Sequence, residues 1–245
     1  MYRFFVDNGI SSGEDIRITG SDYNHIKNVL RMKQGEKVLI SDGNDREYLC
    51  SLREITGEEV YFEIEDIMGT SRELPAKITL FQGIPKGDKM EQIIQKAVEL
   101  GVYEIVPVAM KRSVVKLDHK KAAKKAERWN SIALSAAKQS KRGIIPQVRE
   151  ILPYDEAVKE ASTMEKFLLP YENAEGIDGS RKLVASMKGK QSIAVFIGPE
   201  GGFDETEVQR AIESGAQTLT LGKRILRTET AGITMLSILM FLLEE

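Results

Sequence analysis

Two stretches near the C-terminal end bring together residue types suited to holding a small ligand. The first is Gly198-Pro199-Glu200-Gly201-Gly202-Phe203, which follows the apolar run Ser192–Ile197 directly. Glycines let the backbone approach a ligand closely and take up positive φ. Pro199 removes a donor and stiffens the turn. The spacing is neither the G-x-G-x-x-G fingerprint nor the phosphate loop, and Glu200 would repel a phosphate. The loop therefore suits a phosphate-free ligand gripped by backbone amides and carbonyls, although a tight strand-to-helix turn would explain the same glycines. The second stretch, Gly222 to Glu229, gathers Lys223, Arg224, Arg227 and Glu229. Thr228 and Glu229 suit a helix start, but cations are disfavoured there, so capping leaves the three cations unexplained. Loops leaving the C-terminal ends of strands can line one crevice.

The elements around these loops alternate strand and helix from Ala76 onward, which implies an α/β layer fold. Strands are expected at Lys77–Gln82, Glu104–Ala109, near Val148, and at Lys166–Leu169, Ser192–Ile197 and Gln217–Leu221. Asp88 with Glu91, and Asp204 with Glu207, have the spacing of capping boxes, and Gly101 and Gly215 fit positions just past helix ends. A long basic helix is expected from about Lys120 to Ser140, shorter ones at 155–161 and 179–187, and a last helix to about Leu243, apolar on nearly every face. Residues 1 to about 68 read differently. Short strands at Tyr2–Val6, Ile16–Thr19, Lys37–Ser41, Glu47–Arg53 and Val60–Ile67 surround one helix from about Asp22 to Leu30, with Ser21 as its cap and Gly43-Asn44 as a hairpin turn. That pattern suggests a small barrel. Residues 69–75 read as a linker, giving domains at 1–70 and 76–245.

A chain of 245 residues with a single cysteine excludes a disulfide scaffold. Its most apolar stretch, Ala231 to Leu243, is shorter than the roughly 20 residues a membrane span needs. His25 and His119 are distant in sequence and Cys50 is solitary, so no metal site is expected. Net charge is −2, yet Lys111 to Arg142 holds eleven Lys or Arg against two acids, a local +9. Nucleic-acid footprints are local, and a solvated helix face would carry the same charge.

The sequence Ile-Gly-Pro-Glu-Gly-Gly-Phe at 197–203, followed by Leu-Gly-Lys-Arg-Ile-Leu-Arg-Thr-Glu-Thr-Ala at 221–231, resembles the ribosomal RNA small-subunit methyltransferase E family, of the knotted SPOUT class. Residues 86–91, 96–101 and 136–142, and His25 with Val29-Leu30-Arg31, match as well, so the resemblance spans the chain. Lys138 stands where an acidic residue is expected. The resemblance implies an N-terminal PUA-like barrel, a C-terminal trefoil-knotted methyltransferase domain, a homodimer and a cytoplasmic location. It also implies N3-methylation of one uridine near the decoding centre of 16S ribosomal RNA, with S-adenosylmethionine held among three knot loops. Here those would be the loop after Leu169, the Gly198–Gly202 loop and the Gly222–Arg227 loop. Leu169, Ile197, Gly198, Pro199, Gly201, Gly202, Leu221, Gly222, Ile225 and Leu226 become the cofactor candidates.

Uridine N3 lies on the pairing edge and carries a proton, so the base must be unpaired or extruded and the proton lost. A base could take it, or cations could stabilise the ring anion. Arg227 is the candidate stabiliser, and Glu200 and Glu229 are the carboxylates nearest in sequence. His25, Lys27 and Arg31, taken as one stripe, and Arg112, Lys116, Arg128 and Arg142 are candidates for RNA backbone contact. Trp129 fits helical spacing with Ile132, Ala133 and Ala136, which favours packing over base stacking. Two other readings compete: an RNA-binding ribosome-assembly factor without turnover, and a nucleotide-metabolising enzyme. The paired loops disfavour the first. The absence of a phosphate loop and the basic segment disfavour the second.

Overall fold

The computed structural model describes residues 1–6, 15–43, 46–68, 72–113, 119–174 and 176–244, without the side chains of residues 119–121. Two compact units are present: Met1–Glu73 with Ala137–Ile145, and Leu74–Ala136 with Pro146–Glu245.

In the first unit, β1 (Tyr2–Phe5), β2 (Ile16–Ile18), β3 (Lys37–Ser41), β4 (Glu47–Ile55) and β5 (Val60–Met68) form one sheet in the order β1-β3-β4-β5-β2. Only β1 and β3 pair in parallel. Val38 and Ile40, Cys50 and Leu52, and Val60 and Phe62 alternate inward at the period of a half-buried strand and pack with Phe4, Ile16, Ile18 and Ile26. Register shifts in the β4–β5 ladder bend the sheet around that core. The expected turn includes Asn44, which lies outside the described residues. The helix α1 (Gly20–Asn24) continues as a π-helical segment, His25–Leu30. Ser21 lies inside α1 and does not cap it, because the chain turns into the helix at Gly20, whose φ of 66° glycine adopts readily. His25, Lys27 and Arg31 are exposed but do not form the expected stripe. Positions i and i+2 of a helix face different ways, and Arg31 leaves the segment in the left-handed region at φ 52°.

Residues 137–145 bring a buried ion pair into this unit. Arg142 Nε donates to both oxygens of Glu73, at 2.9 Å each, and its NH2 pairs with the same carboxylate. The Gly143 amide donates to Glu73 Oε1 at 2.9 Å, and Ser41 Oγ donates to the Gly143 carbonyl at 2.8 Å. Arg142 was expected on an RNA phosphate. With 4% of its surface exposed and its fork filled by Glu73, it does not present its charge to a solvent-side partner. Lys138 donates to both carboxylate oxygens of Asp22.

The second unit is a seven-stranded sheet of parallel pairs. Its elements run β6 (Lys77–Gly83), α2 (Lys89–Glu99), β7 (Glu104–Ala109), α3 (His119–Ser140, whose last turn belongs to the first unit), β8 (Gln147–Val148) and β9 (Leu152–Pro153). They continue with α4 (Tyr154–Ala161), β10 (Lys166–Pro170), α5 (Ile177–Ala185), β11 (Ser192–Ile197), α6 (Glu205–Glu213), β12 (Gln217–Leu219) and α7 (Thr228–Leu243). Strand order is β12-β10-β11-β6-β7-β8, with β9 also beside β7. Helices cover both faces, so the central strands read as unbroken apolar runs, as Ile193–Phe196 does. Phe81 and Phe196 stack at 5.2 Å between ring centroids. Trp129 is buried, as its spacing suggested.

Helix ends show which local signals hold. The Asp204–Glu207 capping box forms, and Gly101 and Gly215 take positive φ just past their helices. The Asp88–Glu91 box does not form. Asp88 makes no side-chain cap, and the Glu91 carboxylate is paired with Arg128 at 2.6 Å instead. Among the described residues no helix is long and apolar enough to cross a membrane.

Replacing Glu73 with Ala should strand the Arg142 guanidinium in a site it cannot leave. A loss of about 3–5 kcal/mol in urea unfolding is expected. A loss below about 1 kcal/mol would mean that Arg142 reaches solvent.

Candidate functional site

Because β10, β11 and β12 run in parallel, their C-terminal ends open on one edge of the sheet. The loops that follow them, at 170–172, 198–203 and 220–228, close around a cavity of about 400 Å³. Ile197, Gly198, Pro199, Gly202, Leu221, Gly222, Ile225 and Leu226 line it, so these eight cofactor candidates come together. Leu169 and Gly201 do not line it. Leu169 points into the core one residue before the loop begins. A Cβ on Gly201 would meet Arg112 at 3.1 Å, so that glycine makes room for the Arg112 backbone and side chain.

The walls of the cavity are tied together by one hydroxyl. Thr228 Oγ1 accepts from Gln82 Nε2 at 2.9 Å and donates to the Gly198 carbonyl at 2.6 Å. Gln82 and Thr228 are both buried. Gly232, one turn along α7, faces Gln82 and Ile197; a Cβ there would stand 3.5 Å from Gln82 Oε1, an ordinary contact. At the mouth, Thr220 Oγ1 accepts from the Gly222 amide and donates to its carbonyl, and Gly222 takes φ 122°. Only glycine turns the chain cheaply there.

Charge is divided unevenly across the site. Glu200 accepts from the Lys86 amide at 3.0 Å and from Lys89 Nζ at 2.9 Å. Burial alone would raise its pKa, but the bonds from Lys89, from its own amide and from the Lys86 amide together hold it below the ordinary 4.5. Such a carboxylate is an ionised anchor and a poor proton acceptor. Glu229 is largely buried in the first turn of α7, 3.7 Å from Lys89, and its Oε2 has no hydrogen-bond partner. Lys89 thus serves two carboxylates. The cations of the third loop are different. Lys223, Arg224 and Arg227 are exposed at the rim and make no ion pair with described residues. Arg227 forms no bridge to Glu200 or Glu229, so it is not a clamp between loops.

Of the RNA candidates in this unit, Arg112 is exposed and donates to the Gly201 carbonyl at 3.3 Å, which places it behind the glycine loop. Arg128 is exposed and paired with Glu91. Lys116 lies outside the described residues. Sequence reasoning missed Lys89, Glu172, Thr228 and Ala231 as cavity residues. A lysine in the first turn of α2, where a cation is disfavoured, was the available signal for Lys89. Ala231 carried no signal, being one small residue in an apolar helix.

Residues 72–240 match the model of an RNA methyltransferase domain, and residues 18–65 that of an RNA methyltransferase PUA domain. A ribosomal RNA small subunit methyltransferase E of Bacillus subtilis is 38% identical, over 97% of this chain and 95% of its own. One from Mesomycoplasma hyopneumoniae is 36% identical, over 97% and 98%. The crystal structure of such an enzyme from Neisseria gonorrhoeae, bound to S-adenosylmethionine, is similar at TM-score 0.83 and 36% identity, covering 97% of this chain and 95% of that one.

The depressed pKa of Glu200 fixes a sign. Its stabilising contribution is full above the unfolded carboxylate value and is lost as pH falls through the folded one. Glu200→Gln should therefore be less stable than the parent at about pH 7, with the gap closing as pH falls below the ordinary carboxylate range. A gap in urea midpoint that is constant across that range would rule out the anchored, ionised Glu200.

Proposed function

Because the chain belongs to the ribosomal RNA small subunit methyltransferase E family, we propose that it methylates N3 of a uridine near the decoding centre of 16S ribosomal RNA, using S-adenosylmethionine bound among the three loops. One observation carries the reading: three loops from the ends of parallel strands close one glycine-walled cavity whose rim bears an arginine with no ion pair to described residues. About 400 Å³ falls in the range of small-molecule sites. The residues present suit this cofactor. Backbone groups of Gly198, Gly202, Leu221 and Gly222 face the space, and neither glycine loop has the phosphate-binding pattern. When bound, S-adenosylmethionine supplies an electrophilic methyl group on a positively charged sulfur.

The chain's own residues have three tasks. Thr228 and Gln82 hold the second and third loops in register. Glu200, held by the Lys86 amide and Lys89, anchors the glycine loop to the start of α2 and is not the proton acceptor. Arg227, at the N-cap of α7, joins its charge to the helix's own positive end. Together they stabilise the negative charge that builds on the uracil oxygens as N3 loses its proton. Glu229, with one oxygen free of hydrogen bonds, is the carboxylate left to take part in that proton's departure.

The wider proposal assigns residues 1–70 as a PUA-like RNA-binding domain, with His25, Lys27 and Arg31 exposed on it, and 76–245 as the catalytic domain. Arg112 and Arg128 join the RNA contacts from the second unit. A trefoil knot is part of the proposal. It is supported by strand order β12-β10-β11-β6, which makes the chain return from the edge strand to pack α7 on α2 and β11. Pairing of two copies through α7 is supported by Phe241 and Ile238, large apolar side chains exposed one turn apart on a strongly apolar helix. Action in the cytoplasm, where the ribosome is made, follows from the substrate.

Arg227→Ala should lower single-turnover methyl transfer by about a hundredfold while leaving equilibrium cofactor affinity nearly unchanged. Affinity falling in step with rate would make Arg227 a cofactor ligand. Ala231→Phe should do the opposite, filling the cavity from the helix side and weakening cofactor binding by about tenfold or more. Full affinity in a folded Ala231→Phe protein would place the cofactor elsewhere. Phe241→Glu should yield a monomer by light scattering; a monomeric parent would remove the dimer from the account.

A further inference from the structure

Ile225 is the anomaly of the third loop. It is 84% exposed, in a unit where most large apolar side chains are covered, and it stands at the rim of the cavity. Lys223 and Arg224 precede it and Arg227 follows, all exposed and without ion pairs to described residues. The base of the loop is pinned by the Thr220–Gly222 turn and its end by the buried Thr228, so the tip is presented on fixed stems. Exposing an isoleucine costs hydrophobic free energy. Packing among the described residues does not cover it.

Resting on the methyltransferase reading above, we propose that Ile225 is a wedge that fills the stack vacated by the target uridine, while Lys223 and Arg224 hold the flanking phosphates. The reaction needs the uracil's pairing edge turned into the cavity, so the base must leave its stack. Apolar side chains pushed between bases hold such a distortion, and cations beside them offset the phosphate charge. Charge complementarity selects RNA as the occupant of this tip. The exposed apolar pair on α7 has no such cations in its own last turn, and Phe241 lies roughly 20 Å along the helix axis from the loop. Ile225 is therefore a positioning residue: it acts through the base it displaces and not on the reacting atoms.

The test compares the parent with Ile225→Ser and Ile225→Leu. Each is given small ribosomal subunits lacking the methyl group, and an RNA hairpin of the decoding-centre sequence with 2-aminopurine beside the target uridine. In the parent, 2-aminopurine fluorescence rises on binding, because its neighbour leaves the stack. With S-adenosylmethionine saturating for each protein, Ile225→Ser should lose the fluorescence rise and lose about ten- to a hundredfold more methyl transfer on subunits than on a short unstructured RNA bearing the same uridine, the span that a few kcal/mol of unstacking implies. Ile225→Leu should restore both signals. An equal loss on structured and unstructured RNA would overturn the wedge. So would a fluorescence rise retained by Ile225→Ser, or a Ile225→Ser protein that falls to half mass in solution, which would assign the side chain to an interface between copies. Failure of the parent itself to methylate either RNA would instead defeat the underlying methyltransferase reading.

Discussion

Thr228 Oγ1 takes one hydrogen bond from the Gln82 amide and gives one to the Gly198 carbonyl, and the rest of the site is hung from this hydroxyl. Gln82 is at the end of a central strand, Gly198 opens the glycine loop, and Thr228 begins the last helix. Three segments distant in sequence are thus fixed at one buried atom. A buried hydroxyl that both donates and accepts is satisfied, and losing either partner exposes the cost of an unpaired polar group, about 1–3 kcal/mol. The same contact sets where α7 starts. It therefore sets where its positive end and Arg227 point.

Once the loops are fixed, the charges divide by what they bind. Two carboxylates are consumed by structure: Glu200 by the Lys86 amide and Lys89, Glu207 by the cap of α6 and the Lys111 amide. Lys223, Arg224 and Arg227 make no ion pair with described residues and face the solvent. A rim of such cations is suited to a polyanion that must present one base to a cationic cofactor. The net charge of −2 conceals this arrangement, because charge acts over a Debye length of about 10 Å and not over the whole molecule.

Much of the architecture was legible because its signals are local. Period-two alternation located the strands of the first unit, an unbroken apolar run located β11, and Asp204-x-x-Glu207 marked the start of α6. What failed depended on distant partners. Glu91 has the right spacing to complete a cap with Asp88, but Arg128, far along the chain in α3, takes its carboxylate. Arg142 lies in the most basic stretch of the sequence, yet Glu73 buries it. The glycine loop itself was plain, but which of its glycines face the ligand was not. Gly201 yields space to Arg112, and that depends on a neighbouring strand's loop. Residues such as Ala231 and Thr228 enter the site only through topology, since nothing in their type announces a ligand.

The central claim is a chemical one, and the product nucleoside tests it most directly. Small ribosomal subunits lacking the modification would be incubated with the protein and methyl-labelled S-adenosylmethionine, and the 16S RNA digested to nucleosides and resolved by mass and retention. The account predicts a single labelled nucleoside, N3-methyluridine, approaching one per subunit. Label in a 2′-O-methyl ribose or in another base, or no label despite saturating cofactor, would contradict it.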